Sequence, residues 1–114
     1  MLRDEQEATC RRFDVQFLET SSDQKLGVAL QTIGRVPING LRHKPDRDAC
    51  GWYIWCGEEL SNDDGFFQPM HVSHSAERLP EVLPYLSLAP GWRFLIAQGH
   101  EDVWFDESLL NTAP

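Results

Sequence analysis

The sequence has no apolar run approaching the ~18–20 residues that a membrane-spanning helix needs, so no spanning segment is expected. The opening stretch MLRDEQEATCRRF is charged throughout and lacks the apolar region of a secretory signal. Cysteine is scarce, with only Cys10, Cys50 and Cys56. An odd number of cysteines in a small chain argues against a closed disulfide framework and for a reducing compartment. The expectation is a cytoplasmic protein with reduced thiols. Cations are also few: 10 Lys and Arg face 18 Asp and Glu, a net charge of −8. Such a field repels phosphate backbones and anionic bilayers, so general nucleic-acid or membrane binding is excluded. It would steer in a basic partner, if it serves more than solubility. There is no repeat, low-complexity tract or linker, and no Gly-rich phosphate loop, Walker pattern or Ser/His/Asp order. The cluster SNDDG (61–65) reads as a turn and lacks the further ligands of a calcium loop.

What is present suits one folded domain. The chain has 114 residues, 41% of them hydrophobic and 11% aromatic, enough for a single core without metal or disulfide staples. Residues 1–24 are polar and mixed, and RDEQEATCRRFDVQFLE fits either a short helix or an early strand. LGVALQTI (26–33) reads as a strand. The stretch 34–51 is broken by Pro37, Gly40, Pro45 and Gly51, leaving a loop with a short strand around Ile38–Leu41. In GWYIWCGEE (51–59), aromatic and β-branched residues predict a strand. Period two puts Trp52, Ile54 and Cys56 on one face and Tyr53 and Trp55 on the other. Both faces are apolar, as in a central strand covered on both sides, or on one side plus a partner. FFQPMHVSH (66–74) reads as extended, although Pro69 denies it a full ladder.

Leu79, Val82, Leu83 and Leu86 follow helical spacing, which predicts a short or kinked helix after a Ser75 cap, disturbed by Pro84. GWRFLIAQGHEDVWFD (91–106) predicts a β-hairpin. A turn at Gly99–His100 would set Ile96 against Val103, Phe94 against Phe105, Leu95 against Trp104 and Arg93 against Asp106. Phe94, Ile96, Val103 and Phe105 then form the core face. The expected fold is α+β: a single domain with an antiparallel sheet, one short helix packed on it and a C-terminal hairpin. The domain proper is expected over residues 25–114, with 1–24 as an N-terminal segment.

Three constellations offer chemistry. Cys56 precedes Glu58 and Glu59, whose charges disfavour a thiolate, so a buried inert cysteine is the better reading. His71 and His74, with Cys50 and Cys56, supply four zinc-ligand types, but C-x₅-C is a poor spacing and H-x-x-H suits a helix where the sequence reads extended. His100 beside Glu101 and Asp102 could be an acid–base pair, yet a hairpin tip is open to water. No metal, cofactor or catalytic residue is therefore expected. The residues that suit a protein contact are Tyr53 or Trp55 on the outer strand face, then Glu58, Glu59, Asp63 and Asp64. His100, Glu101, Asp102 and Trp104 join them from the hairpin.

GWYIWCGEE, FFQPMHVSH, LPEVLPYLSLAPGWRFLI and HEDVWFDESLL, in this order, resemble the immunity protein 33-like domains of bacterial polymorphic-toxin systems. The resemblance covers residues 37 to 110, and GWYIW with the PGWRFL…EDVWFD hairpin carries most of it. It implies a small cytosolic protein that binds and neutralises a cognate toxin, with no catalytic residues or cofactor. A second copy of the chain is a further candidate partner. A ligand-sensing or scaffold domain, and a metal-dependent enzyme using His71 and His74, stand as alternatives.

Overall fold

The computed structural model describes residues 2–111. Helix α1 (Leu2–Phe13) is followed by β1 (Lys25–Val28), a 3₁₀ turn (Leu30–Thr32), β2 (Ile38–Arg42) and β3 (Ala49–Cys56). Then come β4 (Gln68–His71), α2 (Val72–Arg78), a 3₁₀ turn (Pro80–Tyr85), β5 (Trp92–Ala97), β6 (His100–Phe105) and a last 3₁₀ turn (Glu107–Leu110). The six strands form one sheet in the order β4-β1-β3-β2-β5-β6. This is the α+β architecture expected, with two differences. The β1–β3 pair is parallel, so the sheet is mixed rather than antiparallel. The described residues also hold two α-helices rather than one.

The faces of β3 follow its alternation. Trp52, Ile54 and Cys56 are buried beneath the helices, in a core with Val28, Val82, Leu86 and Phe94. Trp55 and Tyr53 point to the other face, where a second cluster gathers Ala29, Leu41, Phe66, Phe67 and Leu109. β3 is thus a central strand covered on both sides.

The stripe Leu79, Val82 and Leu86 is core. It belongs to two pieces, however. Pro80 has no N–H and disfavours helical backbone at the residue before it. Leu79 accordingly leaves the helix at φ −142, and Pro80 restarts the chain as a 3₁₀ turn. The N-cap is His71 rather than Ser75. Ser75 is buried inside α2, its hydroxyl donating to the Val72 carbonyl.

Helix α1 has acidic residues in its first turn and arginines in its last, which complements the helix dipole. It docks through polar groups. Gln6 donates to the Leu83 carbonyl at 2.9 Å and accepts from the Ser87 hydroxyl at 3.0 Å, and the Cys10 thiol donates to the Ser87 carbonyl.

The hairpin is offset by two residues from the expected register. Ala97 pairs with His100, Phe94 with Val103 and Arg93 with Trp104. The turn is Gln98–Gly99, and Gly99 supplies the left-handed backbone (φ +74) that a two-residue turn needs. An offset of two preserves every face, so Phe94, Ile96, Val103 and Phe105 do share one side. Phe94 is fully buried, whereas Phe105, on the edge strand, is 48% exposed and is not core. The Arg93–Asp106 ion pair forms diagonally at 3.1 Å.

Candidate binding surface

All three thiols are free and buried. Burial pushes each above the ordinary cysteine range, which makes them inert. His71 and His74 lie exposed where β4 meets α2, their rings 5.9 Å apart, while Cys50 and Cys56 point into the core. Among the described residues no group of three or more His, Cys, Asp or Glu side chains is placed to hold a metal ion.

The three residues of the hairpin tip diverge. His100 and Asp102 meet on the outer face at 2.8 Å, both more than half exposed. Glu101 turns to the helical face. There Arg12, at the end of α1, donates to it at 3.0 Å, and the Tyr85 hydroxyl donates as well. The Arg12 hydrogen bonds hold the Glu101 carboxyl below its usual range. Burial, then the hydrogen bond to Glu101, pushes the Tyr85 hydroxyl up to about 12.

Both shifts bear on stability. A depressed carboxyl contributes above its unfolded pKa, near 4.5, and that contribution is lost as pH falls through the lower folded value. A raised phenol contributes below its unfolded pKa, near 10, and that contribution is lost as pH rises through about 12. Urea titrations across pH are expected to show Glu101→Gln less stable than the parent at neutral pH. The gap should close as pH falls below 4.5. A gap independent of pH would remove Glu101 from this role.

The outer face carries a concavity. Its floor is Gly27 and Tyr53, and its walls are Phe67, Gln68 and Pro69 on one side and Lys44, Asp46 and Asp48 on the other, enclosing about 270 Å³. A second hollow of about 220 Å³ lies across Tyr53, between His43, Leu60, Asn62 and Phe67. The Tyr53 ring stands edge-on to both His43 (5.5 Å) and Phe67 (5.1 Å), so it forms the ridge the two hollows share. The loop after β3 makes the bank. Phe66 and Phe67 pin the end of that loop against the sheet, and Phe67 packs edge-on against Trp55. Glu58, Glu59, Asp63 and Asp64 stand exposed on the same loop and form no ion pair with described residues.

The ten residues singled out in the sequence therefore fall into two groups. Tyr53 lines the groove, and Glu58, Glu59, Asp63 and Asp64 stand on the loop that contributes Leu60, Ser61 and Asn62 to it. His100, Glu101, Asp102 and Trp104 lie on β6 at one edge of the sheet, with the Arg93 guanidinium 5.3 Å from the centre of the Trp104 ring. Trp55 belongs to neither as a contact, being 4% exposed beneath the Phe67 loop. Sequence reading passed over His43, Leu60 and Phe67. The one local signal was FF directly after the SNDDG turn, where a loop return that must cover a sheet would need aromatic anchors.

These features define a small α+β domain with inert thiols that carries an aromatic groove beside an acidic loop. Residues 5–106, most of the chain, match the Imm33-like domain family, and the chain belongs to that family. The match reaches well before residue 37 and takes in most of α1. No curated protein and no solved structure matches the chain. No helix among the described residues is long and apolar enough to cross a membrane.

Proposed function

We propose that this chain is an immunity protein, a non-catalytic domain that binds a cognate bacterial toxin and occludes it with the outer-face groove around Tyr53. Family membership supports the general role. The single observation that carries the choice of surface is the ridge of Tyr53 and Phe67 beside a loop whose four carboxylates form no ion pair with described residues. Such carboxylates cost little in the free protein because water solvates them. They become useful when a basic surface approaches, since they raise the encounter rate and set partner choice. The aromatic ridge supplies the area whose burial holds a complex together.

The two kinds of contact have separable kinetics. Reversing Asp63 and Asp64 to Lys raises the net charge from −8 by four. Association with the proposed cognate toxin should then slow by about tenfold at low salt, with a flatter salt dependence. Tyr53→Ala should leave association nearly unchanged and weaken binding by about 2 kcal/mol, through faster dissociation. Binding kinetics measured with the two purified proteins test both. A tight complex indifferent to all three substitutions would remove the groove as its site.

A further inference from the structure

We propose that β6 is a self-association edge, along which two copies of the chain pair antiparallel about a two-fold axis at Val103 and join their sheets into one. The two edges of the sheet are finished differently. β4 has four residues, one of them Pro69, which cannot donate to a ladder. β6 has six residues, no proline and no lysine, and β5 is its sole partner strand among the described residues. Its last three residues, Val103, Trp104 and Phe105, are apolar, and Trp104 (39%) and Phe105 (48%) are among the most exposed large hydrophobic side chains.

The direction of the free backbone groups follows from the hairpin. The two-residue turn makes Ala97–His100 a mutually bonded pair, and the Asp106 amide donates to the Gly91 carbonyl at 2.7 Å at the other end. Alternation then turns Asp102 and Trp104 towards β5 and leaves the N–H and C=O groups of Glu101, Val103 and Phe105 facing outward. A two-fold at Val103 sets Val103 opposite Val103 and Glu101 opposite Phe105, so the three outward residues of one copy bond to the three of the other. Asp102 falls opposite Trp104 on the outer face.

Self-complementarity of the strand, in side chains as in backbone, favours this occupant and this register. No carboxylate on β6 faces another carboxylate, and each exposed aromatic is covered by the stem of an acidic side chain. The Glu101 charge is already met within its own chain by Arg12 and Tyr85, so it needs no cation from the second copy. The net charge of −8 on each copy opposes association at long range, and salt should therefore strengthen it. The edge lies outside the Tyr53 groove, so the proposal stands independently of toxin binding.

Sedimentation equilibrium on the purified chain is the first test. Reversible dimerisation is expected, with a dissociation constant of roughly 100 micromolar, as befits a small interface, and tighter at higher salt. Phe105→Glu places a carboxylate opposite Glu101 of the second copy and should weaken the dimer by about tenfold or more; Phe105→Lys places a cation there and should retain it. Amide exchange on the unmodified chain is a second, independent reading. With rising concentration Glu101, Val103 and Phe105 should become protected, while Asp102 and Trp104 are protected throughout. A chain that stays monomeric to roughly millimolar concentration at high salt overturns the proposal. So does equal weakening by both Phe105 variants. Protection of the same three amides only on adding the toxin would assign the edge to a strand of that partner, and would equally overturn it.

Discussion

Replacing Arg42 with alanine should cost about 3–5 kcal/mol of folding stability, read as a lower urea midpoint with an unchanged slope. Arg42 is completely buried and none of its hydrogen bonds goes to a carboxylate. Its guanidinium is met by carbonyl dipoles. Nε donates to Cys50 at 3.0 Å, while Nη1 reaches Leu18 at 3.0 Å, Leu88 at 2.8 Å and Leu86 at 3.3 Å. The charge also lies 5.7 Å from the centre of the Trp52 ring, and Trp52 donates to that same Leu86 carbonyl at 2.8 Å. Burial lowers the Arg42 pKa to about 10, so the group stays charged at neutral pH. One side chain thus ties β3, the segment after α1 and the chain entering β5. Alanine would leave several of these acceptors buried without a donor, which accounts for the size of the loss. Arg42→Lys keeps the charge but not the fork, and cannot reach from Cys50 to Leu88, so it should recover less than half of the stability. In the alanine variant the Leu18 amide, bonded to the Ser87 carbonyl at 2.8 Å, should be among the first to exchange. A loss under 1 kcal/mol would mean that water replaces the guanidinium.

Phe94→Ala should cost a similar amount, about 3–5 kcal/mol. The ring is fully buried, stacked on Tyr85 at 4.8 Å and tilted against Trp52 at 5.4 Å. Across the sheet it lies over Gly40, its β2 partner. A Cβ built at Gly40 would stand 2.3 Å from one ring carbon and 2.4 Å from the next. Gly40→Ala alone should therefore cost about 1–3 kcal/mol by overpacking. In the Phe94→Ala background the same methyl enters the space the ring has left, and its cost should vanish or change sign. The double variant should thus be more stable than the summed single effects by about 1–3 kcal/mol. Strict additivity would mean that the ring does not occupy the space above Gly40. Phe105→Ala should cost much less than Phe94→Ala, because half of that ring is already in water.

What the sequence disclosed depended on whether one local rule decided the outcome. β3 was legible because alternation alone assigns its faces. The hairpin faces were legible for the same reason, since a two-residue offset does not change parity. The partners across the hairpin were not, because Gln98–Gly99 and Gly99–His100 are both plausible turns until Gly99 is known to need a positive φ. Phe105 fell on the right face but beyond the reach of the helical layer, a limit set by sheet order. Trp55 and Tyr53 look alike in GWYIW, and only the return of Phe66 and Phe67 over the sheet buries one and leaves the other as a ridge. Helix α1 docks through Gln6 and Cys10 onto Ser87 and Leu83, so it has no apolar stripe to read. Arg42, in LRHKPDRD, reads as one more solvated cation, because nothing local signals that distant carbonyls converge on it. The exposed carboxylates of the groove bank were legible directly, as charges after a strand and within a turn cluster.

Co-expression of this chain with the cognate toxin proposed for it tests the central claim most directly. Growth should be restored, and the two proteins should purify together as a complex that persists at micromolar concentration. Reversing Asp63 and Asp64 should make that rescue weaker without lowering the amount of folded protein. Unrelieved toxicity, with folded protein present and no complex at micromolar concentration, would contradict the immunity reading.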